Sequence, residues 1–301
     1  MSLGPPLLVA TLLSATTVNT MHAATTSRPR AIEVQGHRGA RARFPENTLP
    51  AFAHALQVGV DVLELDVVVT ADDQLLVMHD PVVSTVLCRH RDGTAVAPDT
   101  ALRSLRLVQA QALDCGAVQN PRFPAQSTSP GTPPPSLVQV FELLRSSPAP
   151  AARTVRLNIE AKSVPGRTDL SPPPDRFARL VVDSLQDHGM VSRAVLQSFD
   201  HRILIEAKKF EPALTTAVLI DETLPDLVAV ARAAGAAIVS PHQDWITATE
   251  VHACHAAGLR VIPWTVNEEK SWRRMLELDV DGIITDDPEA LIAFLKVHQR
   301  H

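Results

Sequence analysis

From Ala31 onward, short apolar runs alternate with segments of helical periodicity, a pattern that predicts α/β architecture with parallel strands. Nine runs read as strands: Ile32 to Gly36, Val62 to Val69, Gln74 to Met78, Thr154 to Glu160, Ala194 to Ser198, Thr215 to Ile220, Ala236 to Ser240, Arg260 to Val266 and Gly282 to Thr285. Only Ala71 to Asp73 separate the second run from the third. A parallel neighbour needs a crossover of about a dozen residues, so these two must form an antiparallel hairpin. Eight strands remain, each followed by enough chain for a helix or loop. The prediction is a (β/α)8 TIM-type barrel with a β-hairpin after strand 2.

Helical periodicity is clearest at Thr48 to Val58, Leu137 to Arg145, Asp175 to Gln186, His201 to Lys208, Thr247 to Ala257 and Glu268 to Leu278. Thr48 and Asn267 read as N-caps and Gly258 as a C-cap. One long irregular insert spans about 80–136, with a Pro, Ser and Thr cluster at Ser127 to Pro135 that reads as a flexible surface connection. Loops of this length inside a compact domain are usually lids or inserts with a function.

Residues 1–30 differ in composition from the rest: the apolar run Leu7 to Ala15 leads into Ser, Thr and Ala. They read as a secretory leader before a barrel domain at 31–301, which places the protein in the periplasm or outside the cell. The signal is incomplete. No Lys or Arg precedes the run, Pro5 and Pro6 interrupt its start and no A-x-A closes it, so a disordered leader, an early start codon and a cytoplasmic protein stay open. No other stretch has the eighteen apolar residues of a membrane span, so a soluble protein without stable membrane insertion is expected. Cys88 and Cys115 either pair within the insert or remain buried thiols, and no cysteine spacing suggests zinc. A net charge of −5, no tyrosine and 4% aromatic residues leave neither a basic surface nor stacking platforms, which argues against nucleic acid.

Barrel enzymes carry reacting groups at the C-terminal ends of their strands. Strand 1 ends in Gly36-His37-Arg38-Gly39, strand 2 carries Glu64 and Asp66, the hairpin returns to His79-Asp80, and strand 3 ends in Asn158-Ile159-Glu160-Ala161-Lys162. Glu64 and Asp66 share one face of their strand because side chains alternate. With Glu160 they form a cluster that must be compensated, either by one divalent cation such as Mg²⁺ or Ca²⁺ or by an ion-pair network with Arg38 and Lys162. His37 and His79 would each pass for an ordinary histidine in a chain with twelve. The hairpin, however, folds His79 back beside the carboxylates, and His37 comes from the adjacent strand. Two imidazoles on one phosphodiester can act as general base and general acid, while Arg38 and Lys162 stabilise charge on the phosphoryl group.

These residues resemble the glycerophosphodiester phosphodiesterases from about Val34 to Leu295. The resemblance is carried by His37-Arg38-Gly39-Ala40, Pro45-Glu46-Asn47-Thr48, Glu64-Leu65-Asp66, His79-Asp80, Asn158 to Lys162, Ser198-Phe199-Asp200, Trp264-Thr265-Val266-Asn267 and Asp281 to Asp286. It implies a phospholipase-C-like barrel with Glu64, Asp66 and Glu160 as metal ligands and His37 and His79 as the catalytic pair. Arg38 and Lys162 would hold the phosphate and Trp264 would line the glycerol side. The implied reaction releases glycerol 3-phosphate and an alcohol from a small soluble glycerophosphodiester. Glu46 and Asn47 are expected to brace the loop after strand 1 through backbone hydrogen bonds, and Asp200 and Asp286 to cap or orient neighbours. Asp73 stands where the family hairpin often has glycine, and Ala161 replaces a bulkier residue. The insert matches poorly at its Pro-rich end, which leaves the head group unassigned. The rival readings are a phospholipase D or sphingomyelinase D type of enzyme acting on lysophospholipids, and a non-catalytic phosphodiester-binding barrel.

Overall fold

The computed structural model describes residues 1–4 and 32–298, so the predicted leader falls almost wholly outside the described residues. Its strands are β1 (Glu33–Gly36), β2 (Val62–Val69), β3 (Leu75–Val77), β4 (Arg89–His90), β5 (Leu113–Asp114), β6 (Arg156–Ala161), β7 (Ala194–Ser198), β8 (Thr215–Ile220), β9 (Ile238–Pro241), β10 (Arg260–Val261) and β11 (Gly282–Thr285). Eight of them lie parallel in the order β10-β9-β8-β7-β6-β2-β1-β11, and β3 pairs antiparallel with β2. The backbone N–H groups of Asp281, Ile284 and Val266 donate to Val261, Pro263 and Ile284 at 2.9 to 3.0 Å, joining the two ends into a near-closed barrel. The helices are α1 (Leu49–Val58), α2 (Leu107–Ala110), α3 (Leu137–Ser146), α4 (Pro174–Asp187), α5 (His201–Phe210), α6 (Leu227–Ala233), α7 (Ala248–Ala256), α8 (Glu269–Glu277) and α9 (Pro288–His298).

Alternation explains how a sequence this apolar opens a polar site in its centre. In β2, Leu63, Leu65 and Val67 join the large apolar layer between barrel and helices, so Glu64 and Asp66 must face the barrel interior. In β6, Leu157, Ile159 and Ala161 face outward in the same way and leave Asn158 and Glu160 inside. The opposite half of the interior is apolar, filled by Val195, Ala217, Ile238, Ile262 and Ile284. The barrel is therefore a packed core with one polar quadrant.

Several sequence expectations need correction. Strand order around β10 stops at Val261 rather than Val266, because Pro263 has no N–H to give to a ladder. The cap of α8 is Glu268, not Asn267, whose amide is taken by Asp286. The cap residue of α7 is Ala257, and Gly258 follows it at φ +77°. The insert is not structureless. It contains the β4-β5 pair, α2, a Cys88–Cys115 disulfide and its own apolar cluster, in which Val83, Leu102 and Leu113 pack on Val68, Leu76 and Met78 of the hairpin. The Pro-rich segment is tied down, with Ser127 N–H donating to Arg43, Ser129 N–H to Gly116 and Val77 N–H to Pro135. Asp73 takes φ +55° in the hairpin turn, the left-handed conformation that glycine adopts freely, and is held there by Arg103 and Arg176.

Candidate active site

The turn after β1 is held by close approach. A Cβ on Gly36 would lie 2.1 Å from the carbonyl oxygen of Gly39, and one on Gly39 would lie 2.8 Å from the Ala51 backbone, so neither position admits a side chain. Between them Arg38 sits at φ +50°, a conformation costing on the order of 1 kcal/mol for a non-glycine residue. Its backbone N–H donates to Glu64 Oε2 at 2.9 Å, which helps hold the strained turn and aims His37 and Arg38 over the barrel mouth.

Glu64, Asp66 and Glu160 are buried, and each offers an oxygen within 4.8 Å of the others. Their compensation is unequal. Asp66 lies 3.2 Å from Arg38 Nε and accepts from Asn47 Nδ2 at 2.8 Å; burial opposes its charge, yet Arg38, His79 and Lys162 hold it well below the usual carboxylate range. Glu160 accepts from Lys162 Nζ at 2.7 Å but is pushed up to about 7, first by burial and then by Asp66 against the pull of Lys162. Glu64 has hydrogen bonds from the Arg38 backbone and from Gln197 Nε2 at 2.9 Å; among the described residues no Lys or Arg side chain lies within ion-pair distance of it, and burial together with Asp66 and Glu160, against the pull of Arg38, raises it well above its ordinary value. The expected network with Arg38 and Lys162 exists, and among the described residues it leaves Glu64 without a Lys or Arg ion pair and only partly compensated. A hard divalent cation fits that deficit and that donor set.

Both imidazoles are held by a carboxylate at Nδ1. His37 Nδ1 is 2.5 Å from Asp286 Oδ1, and its Nε2 points toward Glu64 Oε2 at 3.9 Å. Burial lowers His37 from its ordinary value more than Asp286 raises it. His79 Nδ1 is 2.7 Å from Asp80 Oδ1, and its Nε2 is 3.0 Å from Lys162 Nζ. His37, Arg38, Glu64, His79, Glu160 and Lys162 line one cavity of about 230 Å³, and Trp264 and Phe199 face them across it. The Trp264 indole is fixed by donation to Ser240 O at 2.9 Å and by an edge-on contact with Phe199.

All eight sequence-predicted site residues thus gather at the same end of the barrel. Asp286 and Asp200 do orient neighbours: Asp286 holds His37 and Asn267, and Asp200 caps α5. Glu46 and Asn47 brace the turn, but mainly through side chains, to Arg38 and to Asp66 respectively. Sequence reasoning passed over Gln197, Arg41 and Arg122. Gln197 sits at the end of a barrel strand and was accessible to the strand-end rule, whereas Arg122 reaches the cavity from the insert and carried no local signal.

The profile of the glycerophosphoryl diester phosphodiesterase family matches residues 37–290, which contain every one of these groups. The chain belongs to this family. A glycerophosphodiester phosphodiesterase of Caldanaerobacter subterraneus subsp. tengcongensis is 30% identical over 267 residues, covering 87% of this chain and 97% of the relative. A candidate glycerophosphoryl diester phosphodiesterase from Silicibacter pomeroyi superposes with a TM-score of 0.83 at 30% identity, covering 90% of this chain and 95% of that one. An Oleispira antarctica phosphodiesterase solved with its product sn-glycerol-3-phosphate shares the fold, with a TM-score of 0.72 at 21% identity over 88% and 96% of the two chains. As a family member the chain is a phosphoric diester hydrolase.

Proposed function

We propose that this family member hydrolyses small glycerophosphodiesters to glycerol 3-phosphate and an alcohol, with His37 and His79 as the acid and base pair. The observation that supports this reading is one cavity lined by two carboxylate-held imidazoles and by Glu64 and Glu160, with Asp66 buried against those two carboxylates. Glu64, Asp66 and Glu160 would hold one divalent cation, Mg²⁺ or Ca²⁺, which when bound supplies Lewis-acid stabilisation of phosphoryl charge. The protein's own groups do the rest. One imidazole takes a proton from the attacking water as its oxygen bonds to phosphorus, while the other gives a proton to the alkoxide that leaves as the P–O ester bond breaks, and Asp286 and Asp80 keep each ring oriented. Arg38 and Lys162 border the phosphate position, and Trp264 presents an apolar face to the glycerol.

Export to the periplasm or the exterior is part of this proposal. It is supported by the Cys88–Cys115 disulfide, because such bonds persist mainly in oxidising compartments. Among the described residues no helix is long and apolar enough to cross a membrane. A second reading, action on lysophospholipids, draws on two exposed apolar side chains at the mouth, Phe199 and Val86.

The test is a panel of glycerophosphocholine, glycerophosphoglycerol and lysophosphatidylcholine with Mg²⁺, with Ca²⁺ and with chelator. Release of glycerol 3-phosphate from the first two in the presence of metal is expected. Turnover of lysophosphatidylcholine alone, or full activity in chelator, would overturn the soluble-substrate or the metal part of the reading respectively.

A further inference from the structure

The cavity continues past the barrel mouth. A second lobe of about 360 Å³ runs between the turn after β1 and the insert, bordered by Glu46, Asp80, Ser84 and Asn120. Arg38, Arg41, His79 and Arg122 border both lobes. A phosphodiester has two ester arms. With the phosphate at the shared wall and one arm on the Trp264 side, the lobe under the insert is space into which the other arm can extend.

That lobe has an unbalanced charge. Arg38 is met by Glu46 and Asp66, and Arg41 by Asp286 at 3.2 Å and Glu46 at 3.9 Å. Asp80 is taken by His79. Arg122 is exposed to the lobe, and among the described residues no carboxylate lies within ion-pair distance of its guanidinium. Every carboxylate of the lobe is therefore engaged and one cation is not.

Arg122 is also held in place by a built segment of chain. Its backbone N–H donates to Asn120 Oδ1 at 3.0 Å, and Asn120 N–H donates to Gln126 Oε1 at 3.1 Å. Buried Gln126 in turn donates to the carbonyls of Arg41 at 2.6 Å and Phe44 at 3.1 Å, and Ser127 N–H donates to Arg43. The Arg41 guanidinium lies 4.9 Å from the centre of the Phe123 ring. These contacts fasten the tip of the insert to the turn that carries His37. The crowding of cations is felt at Arg41, which is lowered from its ordinary value by burial and then, against Asp286, by Arg38 and Arg122.

We propose that Arg122 determines head-group specificity by receiving a second phosphate on the alcohol arm of the substrate. This rests on the glycerophosphodiester reading above and adds to it a preferred substrate class, diesters whose head group is itself phosphorylated. A guanidinium with its donors free binds phosphate through charge-assisted, bidentate hydrogen bonds, whereas a choline cation would meet like charge there.

The experiment compares glycerophosphocholine, glycerophosphoglycerol, bis(glycerophospho)glycerol and glycerophosphoinositol 4-phosphate, the last two separating a diester from a monoester phosphate as the source. The wild-type enzyme should show kcat/KM roughly tenfold higher for at least one phosphate-bearing head group than for glycerophosphoglycerol, carried by KM and shrinking with added salt. Arg122→Ala should erase that advantage, Arg122→Lys should keep part of it, and Arg122→Glu should move the preference toward glycerophosphocholine. Equal kcat/KM for phosphate-bearing and glycerol head groups in the wild type, or an advantage that survives Arg122→Ala, overturns the assignment while leaving the hydrolase reading intact. Absence of glycerol 3-phosphate from all four diesters would remove the hydrolase reading and this assignment together.

Discussion

His37 and Asp286 stand 249 positions apart in the chain and meet at 2.5 Å, because β1 and β11 are parallel neighbours whose ends, Gly36 and Thr285, lie in register. The pairing puts the proton on Nδ1 and leaves Nε2 turned toward the carboxylate cluster, so Asp286 acts on the reaction through the imidazole rather than on the substrate. Asp286→Asn keeps the shape and removes the charge. It should lower kcat by roughly 10²-fold, with a smaller change in KM and a shifted pH–rate profile. Steady-state kinetics across pH on the two proteins will check this; an unchanged profile would sink the positioning role.

Glu64 offers a similar test of the cation site. Gln197 Nε2 occupies one of its oxygens, and Gln197 is itself held through Asn158 Nδ2 at 3.0 Å. Substituting Glu64→Gln should abolish high-affinity metal binding. Gln197→Leu, which leaves all three carboxylates in place, should weaken it by about 10- to 100-fold, the usual effect of losing a bond that orients a ligand. Calorimetric titration of chelator-treated protein with Mg²⁺ and Ca²⁺ reads both. Equal affinity in wild type and Glu64→Gln would place the cation elsewhere.

The sites legible in the sequence were those where one rule sufficed. Alternation put Glu64 and Asp66 on one face of β2, and a three-residue gap forced the hairpin that returns His79. The rest depended on long-range geometry. Asn267 looked like a cap because it precedes α8, but its amide goes to Asp286 and Thr285 across the barrel seam. Arg122 lies in a stretch without periodicity, and long-range contacts such as the Gln126 bonds to Arg41 and Phe44 and the Ser127 bond to Arg43 bring it over the site. The apolar packing of the insert was hidden for a related reason: Val83, Leu102 and Leu113 are widely spaced, and become a cluster only against the outer face of the hairpin.

Cys88 and Cys115 close a loop with a sequence separation of 27. Loop-closure entropy alone assigns such a crosslink about 3.5 kcal/mol. Cys88→Ser should therefore lower stability by about 2 to 4 kcal/mol, read as a shift in urea midpoint, and should raise KM more than it lowers kcat, since the insert forms one side of the substrate cavity. Both sulfur-bearing residues are buried, so reductant without denaturant should act slowly on the native protein. A urea midpoint indifferent to the substitution would show that the apolar cluster alone secures the insert.

At the start of β1, Glu33 receives Arg156, Arg260 at 2.7 Å and Gln35 Nε2 at 2.6 Å while remaining 8% exposed. Burial works against its charge, but Arg260 and Arg156 outweigh it and hold the carboxyl below its ordinary value of 4.5. A carboxyl that is more acidic folded than unfolded stabilises the protein at pH above its unfolded value, and that contribution disappears as pH falls through the folded one. Acidification below about pH 4.5 should therefore cost stability through Glu33. Glu33→Gln removes the titrating group and leaves two arginines facing a neutral amide, which should cost about 2 kcal/mol at pH 7. Thermal melts of the two proteins at pH 7, 5, 4 and 3 should show the gap between them narrowing at the acid end. A gap that stays constant over that range would show that Glu33 is not the carboxylate whose protonation loosens this end of the barrel.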